Sequence, residues 1–224
     1  KSKRKILVWS GIGSFVTALA VGLFFFFSDN GGSSNEGNDG DYFTKPIDES
    51  NRFQKGATIV AALLGEVSVT DPSGVDGNSS GKRSAREGEV LLPGSLIETG
   101  SESEVILLFS NGHLTTLGSD TKMSVDAFVQ EEFDGSEDKV GELKREVSPS
   151  RMKLDLDFGE MIIDVKKLNK ESSLVITTNV GVVGIRGTRF GVTSENGSVA
   201  VSVLEGLIEF LDERKVVHAV GTEK

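Results

Sequence analysis

The chain has 224 residues, with 24 Lys+Arg against 34 Asp+Glu and a formal net charge of −10. An acidic balance argues against a nucleic-acid binder, whose electrostatic footprint is basic. There is no cysteine and there are two histidines, which excludes a disulfide scaffold, a thiolate metal site and a Cys nucleophile, and leaves little for Ser–His or zinc-hydrolase layouts.

The first five residues are Lys1-Ser2-Lys3-Arg4-Lys5, and Ile6 to Phe27 follow without a charge. As a helix this run reaches about 33 Å, enough for a hydrocarbon core of about 30 Å. A secretory signal has a shorter apolar core and ends at a small-residue cleavage site. This run ends instead in Phe24, Phe25, Phe26 and Phe27. It therefore reads as an uncleaved transmembrane helix over residues 6–27. The basic tail, residues 1–5, stays cytoplasmic by the positive-inside rule, so the bulk of the chain is expected to face outward across the membrane. The rest of the chain then holds 20 basic and 34 acidic residues, a balance of −14. Ser10, Ser14, Ala18 and Gly22 recur every four residues. Such a small-residue stripe lets two helices approach, so a homodimer through this face is an expectation.

Residues 28–55 read as a flexible acidic linker. Ser28 to Asp41 has almost nothing apolar to bury, and Tyr42 to Gln54 is a transition segment. The folded part, residues 56–224, is expected to start near Gly56.

From there the chain reads as strands bounded by Gly, Asn or Ser. The expected runs are Ala57–Leu64, Glu66–Thr70, Val90–Leu92, Leu96–Glu98, Glu104–Phe109 and Leu114–Leu117. Met152–Phe158 alternates strictly, with Met152, Leu154, Leu156 and Phe158 on one side and Lys153, Asp155 and Asp157 on the other. Period two with one wet face is a half-buried strand. Met161–Val165, Leu174–Thr178, Val182–Ile185, Phe190–Thr193, Val199–Leu204, Leu207–Phe210 and Val216–Val220 continue the series. One short helix is expected at Ser124 to Glu131, and Phe133 to Ser150 reads as a polar, extruded loop. The fold class is all-β.

Gly65, Gly88, Gly112, Gly135, Gly159, Gly184 and Gly206 recur at a loose, nearly even spacing. Repeating turns at such a period mark rungs of a solenoid. With 27 glycines in the chain chance alignment is easy, so a solenoid-like arrangement stays open.

No catalytic, cofactor or metal site is assigned. Asp76-Gly77-Asn78-Ser79-Ser80-Gly81, with Glu87 at the twelfth position, copies an EF-hand spacing. Lys82, Arg83 and Arg86 oppose a cation there, and the flanks read as strands, so a polar loop is the better reading. Gly77–Lys82 is one residue short of a phosphate loop, and Arg83 stands where a magnesium-binding hydroxyl belongs. Gly181–Gly187 is glycine-rich, but no helix follows to meet a phosphate. Asp155 and Asp157 share a wet strand face, where paired acids are ordinarily solubilising rather than glycosidase groups. Neither His113 nor His218 has a sequence neighbour that suggests a nucleophile pair.

The C-terminal third carries a distinctive series. Thr177-Thr178-Asn179-Val180-Gly181-Val182-Val183-Gly184-Ile185-Arg186-Gly187-Thr188-Arg189-Phe190 leads into Val203-Leu204-Glu205-Gly206. This resembles the FecR domain family, with its V-x-G-T-x-F-like turn and V-x-E-G strand end. Upstream, Gly94–Gly100, Ser103 and Val105–Gly112 resemble the family's G-x-x-I-x-T-G and L-x-F-x-x-G stretches. Gly159-Glu160 before Met161–Val165 resembles another of its strands. The resemblance runs from about Gly56 to Gly221. From the residues themselves, the motif positions Gly184, Arg186, Gly187, Thr188, Phe190, Glu205 and Gly206 read as structural. The glycines allow torsions or approaches that a side chain forbids, Thr188 can satisfy a turn amide, and Phe190 fills core.

The resemblance implies envelope signalling, since the best-known members relay receptor occupancy to a sigma factor through a cytoplasmic anti-sigma domain. With only Lys1–Lys5 ahead of the apolar run in this sequence, that domain is not expected here. The reading is a non-enzymatic, membrane-anchored periplasmic module with an envelope protein as partner and no nucleic acid. The alternative is a structural or glycan- or peptidoglycan-binding envelope protein. Trp9 lies in the apolar run and Tyr42 in the linker, which leaves the outer domain neither residue type for stacking on sugars.

Overall fold

The computed structural model describes residues 23–27, 52–72, 81–133, 143–185, 188–212 and 217–221. Among these residues every regular element is a β-strand. The strands form two sheets that share one long strand.

Sheet A runs in space as β1 (Leu23–Phe27), β15 (Ser198–Glu205), β14 (Arg189–Glu195), the second half of β11 (Ser150–Asp164), β9 (Leu114–Leu117), β8 (Glu104–Phe109), β3 (Thr58–Leu64) and β6 (Val90–Leu91). Sheet B runs as β5 (Lys82–Ser84), β4 (Val67–Thr70), β7 (Leu96–Thr99), β10 (Lys122–Glu131), the first half of β11, β12 (Ser173–Thr178), β13 (Gly181–Ile185), β16 (Leu207–Asp212) and β17 (Val217–Gly221). β2 (Phe53–Lys55) pairs with the far end of β10, beyond β7. The described strand pairs are antiparallel except β11 with β12. Parallel stacking of successive rungs is therefore not the rule here, and the solenoid expectation gives way to a sandwich of antiparallel neighbours.

Alternation explains which residues lie between the sheets. Val105, Leu107 and Phe109 of β8 are fully buried, as are Val199 and Val201 of β15. Met152, Leu154 and Leu156 face inward from the first half of β11, and Met161 and Ile163 from the second. Phe109 meets Phe128 of β10 edge to face, with ring centroids 5.6 Å apart. Each such side chain stabilises the fold by about 1.5–3 kcal/mol through area withdrawn from water.

The sheets are joined by sharp corners, and most lie at two opposite ends of the sandwich. At one end β3 passes to β4 through Gly65, β7 to β8 through residues 100–103, and β9 to β10 through residues 118–121. β11 makes the same passage within one strand. It leaves sheet B at Phe158, bends at Gly159 and returns along sheet A. Gly159 has φ 100°, and a Cβ there would lie 2.5 Å from Thr121 Cα. Only glycine fits this corner. At the opposite end β13 crosses to β14 and β15 crosses back to β16. The spaced glycines of the sequence thus mark turns: Gly65, Gly88, Gly112, Gly159 and Gly206 have φ of 75–100°, whereas Gly184 lies inside β13.

Several expectations change. The helix expected at Ser124 to Glu131 is part of β10. A register shift between Val125 and Ala127 exposes Asp126 and puts Val125 and Phe128 on the same inner side, three residues apart. That bulge makes an ordinary strand imitate a helical period. Folded structure also begins before Gly56, because Phe53 of β2 is buried and Arg151 stacks its guanidinium 4.5 Å from the Phe53 ring centre. Of the expected loop at Phe133 to Ser150, residues 143–150 are not extruded; Glu146, Ser148 and Ser150 are buried. β5 has no apolar residue and was invisible to periodicity.

Of the expected transmembrane helix, residues 6–22 lie outside the described residues, and with them Ser10, Ser14, Ala18 and Gly22. Its last five residues are described as β1, extended and paired with β15. Backbone pairing and the β preference of phenylalanine favour that arrangement where an edge is available. Among the described residues no helix is long and apolar enough to cross a membrane.

Candidate functional site

The motif residues gather at the end of the sandwich where β13 crosses to β14 and β15 to β16. Gly184 sits in β13 between Val175 and Glu209. Arg186 and Gly187 lie outside the described residues. Thr188 is buried, and its hydroxyl donates to the Leu207 carbonyl at 3.0 Å. Its own carbonyl accepts the Val165 amide at 3.0 Å. One threonine thus ties both crossings and the end of β11 together. Phe190 opens β14 with its ring fully buried, opposite Val203 and Ile163. Glu205 pairs in register with Arg189. Gly206, at φ 97°, makes the corner into β16.

Beside this corner lies a buried polar cluster that sequence reading missed. The Glu146 carboxylate accepts hydrogen bonds from the Ser150 hydroxyl, the Ser172 hydroxyl at 2.6 Å and the Asn169 amide at 2.9 Å. The Asn169 side chain adds a donor at 3.3 Å. The Asn111 amide donates to Ser150 Oγ at 2.9 Å, and Asn111 Oδ1 accepts the His113 amide at 3.2 Å. Burial pushes the Glu146 carboxyl above its ordinary range, against the opposing pull of those donors. A carboxylate with four donors is one whose charge is solvated by the protein itself.

His113 completes the cluster. Its Nδ1 accepts the Lys166 amide at 3.3 Å, which places any ring proton of the neutral form on Nε2. Nε2 and the Thr115 hydroxyl are buried with no hydrogen-bond partner among the described residues. Burial first, then the Lys166 charge, lowers the His113 pKa to about 3. The ring is neutral at physiological pH and serves as a rigid acceptor rather than a proton shuttle. Val165 and Lys166 adjoin one another, so the motif corner and the polar cluster share one backbone. The only sequence signals for the cluster were the polar residues of 143–150, read as solvent-facing.

The other candidates are dispersed. Asp155 and Asp157 lie on the outer face of β11. Asp157 pairs with Lys122 at 2.8 Å, and Lys153 pairs with Asp126 at 3.1 Å. Burial, then Asp126 and Asp157, raises the Asp155 carboxyl. These charges form a cross-strand ladder. Of the EF-hand-like stretch, residues 76–80 lie outside the described residues. Glu87 accepts the Leu63 amide at 3.3 Å, and Arg83 binds Asp71 at 3.0 Å and Glu89 at 2.7 Å. Arg83 thus belongs to acidic neighbours on the sheet. His218 contacts Asp212 at 3.2 Å.

A family model described as FecR protein matches residues 95–209, about half of the chain. The chain belongs to the FecR family. The match is narrower than the resemblance read from sequence, starting at Ser95 rather than near Gly56. It spans β7 to the first part of β16, and so takes in both crossings and the polar cluster. No curated protein matches the chain. Two crystal structures of a candidate anti-sigma factor from Parabacteroides distasonis ATCC 8503 are similar to it, each at 16% identity and a TM-score of 0.41. Each alignment covers 56% of this chain and 50% of that one, so the chain spans about half the length of the solved chains it matches.

Proposed function

We propose that this chain is a non-enzymatic FecR module, anchored in the bacterial inner membrane, that presents its sandwich to the periplasm. There it takes part in envelope sensing or signalling by contact with another protein. The observation that carries this reading is where the family's residues go. Thr188 and Phe190 are buried, and Gly206 makes a corner. The shared motif supports the fold, which leaves recognition to the outer surfaces of the sheets.

The absence of cysteine makes the topology testable with one substitution. Glu195→Cys, at the exposed end of β14, should react with a membrane-impermeant thiol reagent in cells with a permeabilised outer membrane. Labelling only after lysis would overturn the periplasmic placement. Crosslinked pull-down from native membranes should recover an envelope protein; recovery of glycan alone would overturn the protein-contact role.

A further inference from the structure

An edge strand presents unpaired N–H and C=O groups, and proteins guard such edges with short length, charge or a covering segment. The edges of this sandwich are guarded unequally. β6 has 2 residues, and β5 has 3, Lys82-Arg83-Ser84, all exposed. β17 has 5 residues. β15 has 8, Ser-Val-Ala-Val-Ser-Val-Leu-Glu, without a charge before Glu205. Val199, Val201 and Val203 are buried in the core, and the half-buried outward positions Ser198, Ala200 and Ser202 are small. Nothing in the strand itself repels a neighbour.

This edge also carries a visitor. Leu23–Phe27 adds to it antiparallel, in register from Leu23 opposite Val203 to Phe27 opposite Val199. Those five residues end the uncharged run of residues 6–27, and a Gly-, Ser-, Asn- and Asp-rich stretch joins them to Arg52. They cannot be a membrane helix and an edge strand at once.

We infer that the outer edge of β15 is a strand-acceptor site for an extended, uncharged, apolar segment of a partner protein, and that Leu23–Phe27 occupies it while the partner is absent. This rests on the reading of the domain as a protein-interaction module. Backbone hydrogen bonds supply the affinity in such strand addition, and alternate side chains supply the selectivity. The resident strand is tethered, so it competes at an effective concentration in about the millimolar range. Insertion of Leu23–Phe27 in a bilayer removes that competitor and opens the edge.

The test uses the purified 224-residue chain in detergent and a fluorescent peptide, Lys-Lys-Leu-Phe-Phe-Phe-Phe-Lys-Lys, followed by anisotropy. Phe25→Pro removes a strand amide from the resident segment. It should raise peptide affinity about tenfold or more and speed hydrogen exchange of the Val199–Val203 amides. Adding Ala200→Lys to that variant should abolish binding while the melting temperature holds. Absent binding by Phe25→Pro, or equal binding with Ala200→Lys present, would overturn the proposal. Membrane pull-down separates this from the broader reading. A partner protein captured equally by the Ala200→Lys chain keeps the module and overturns this edge. Edge-dependent peptide binding without a captured protein supports the edge and defeats the module.

Discussion

The two ends of the sandwich close the same gap by different chemistry. At the Gly159 end the corners rest on backbone shape and single hydroxyls. Thr121 Oγ1 accepts the Glu160 amide at 3.0 Å, Thr99 Oγ1 accepts the Thr121 amide at 2.9 Å, and Ser103 Oγ accepts the Glu66 amide at 2.9 Å. No ionisable side chain takes part in those bonds. At the Thr188 end the corner is joined to a buried carboxylate and a buried imidazole. The first end should be indifferent to pH and intolerant of volume. The second should tolerate some volume and respond to acid.

The largest effect should come from acid. The unfolded chain takes a proton on His113 below about pH 6.5, whereas the folded chain resists until about pH 3. Stability is therefore full above pH 6.5 and falls between these values, by roughly 5 kcal/mol at the lower limit. Glu146 acts in the opposite sense, because its raised carboxyl binds a proton more readily folded than unfolded. Its contribution is present at acid pH and is lost as pH rises through the folded value. Urea denaturation across this range should show a His113→Gln chain with a flatter acid limb than the unsubstituted one. Equal limbs would remove the pH contrast between the ends.

Gly159→Ala should follow, at about 3–4 kcal/mol, because the new Cβ meets backbone at a φ that side chains rarely adopt. The loss should be the same at pH 7 and pH 5 in urea titration; a tolerated alanine would break the account of that end. Glu146→Ala should cost about 3 kcal/mol by leaving the Ser150, Ser172 and Asn169 donors unmatched. Glu146→Gln should cost clearly less, since the hydroxyls can turn to accept. If the two substitutions are equal, the charge rather than the hydrogen bonding holds the cluster. Thr188→Val should be the mildest, about 1–2 kcal/mol, from the lost bond to Leu207. A melting-temperature change no larger than that of a surface substitution would mean that the crossings are held without it.

This contrast follows what a linear sequence can display. The Gly159 corner was visible because a glycine interrupts a strict alternation, and Phe190 because a large apolar residue follows a turn. The polar cluster was not visible. Asn111 and Ser150 are 39 positions apart, and Glu146 and Ser172 are 26 apart. No local pattern announces that distant polar residues will satisfy one another, so Glu146 read as solvated. β10 was misread because its bulge breaks the period that strand recognition needs. β5 and β2 were missed because their pairing, not their side chains, makes them strands.

The sequence by itself determined the all-β class, most strand positions, most inward residues of the alternating runs and the glycines at the corners; Phe158, expected on the inner side with Met152, Leu154 and Leu156, is exposed where β11 bends. Torsional limits and the cost of wetting apolar groups act on residues near one another in the chain. The tertiary structure alone decided that β11 serves both sheets, that β12 lies parallel to it, and that a carboxylate and an imidazole are buried at one end. Those outcomes depend on which distant strands meet, and burial of a polar group is favourable only once its partners are in place.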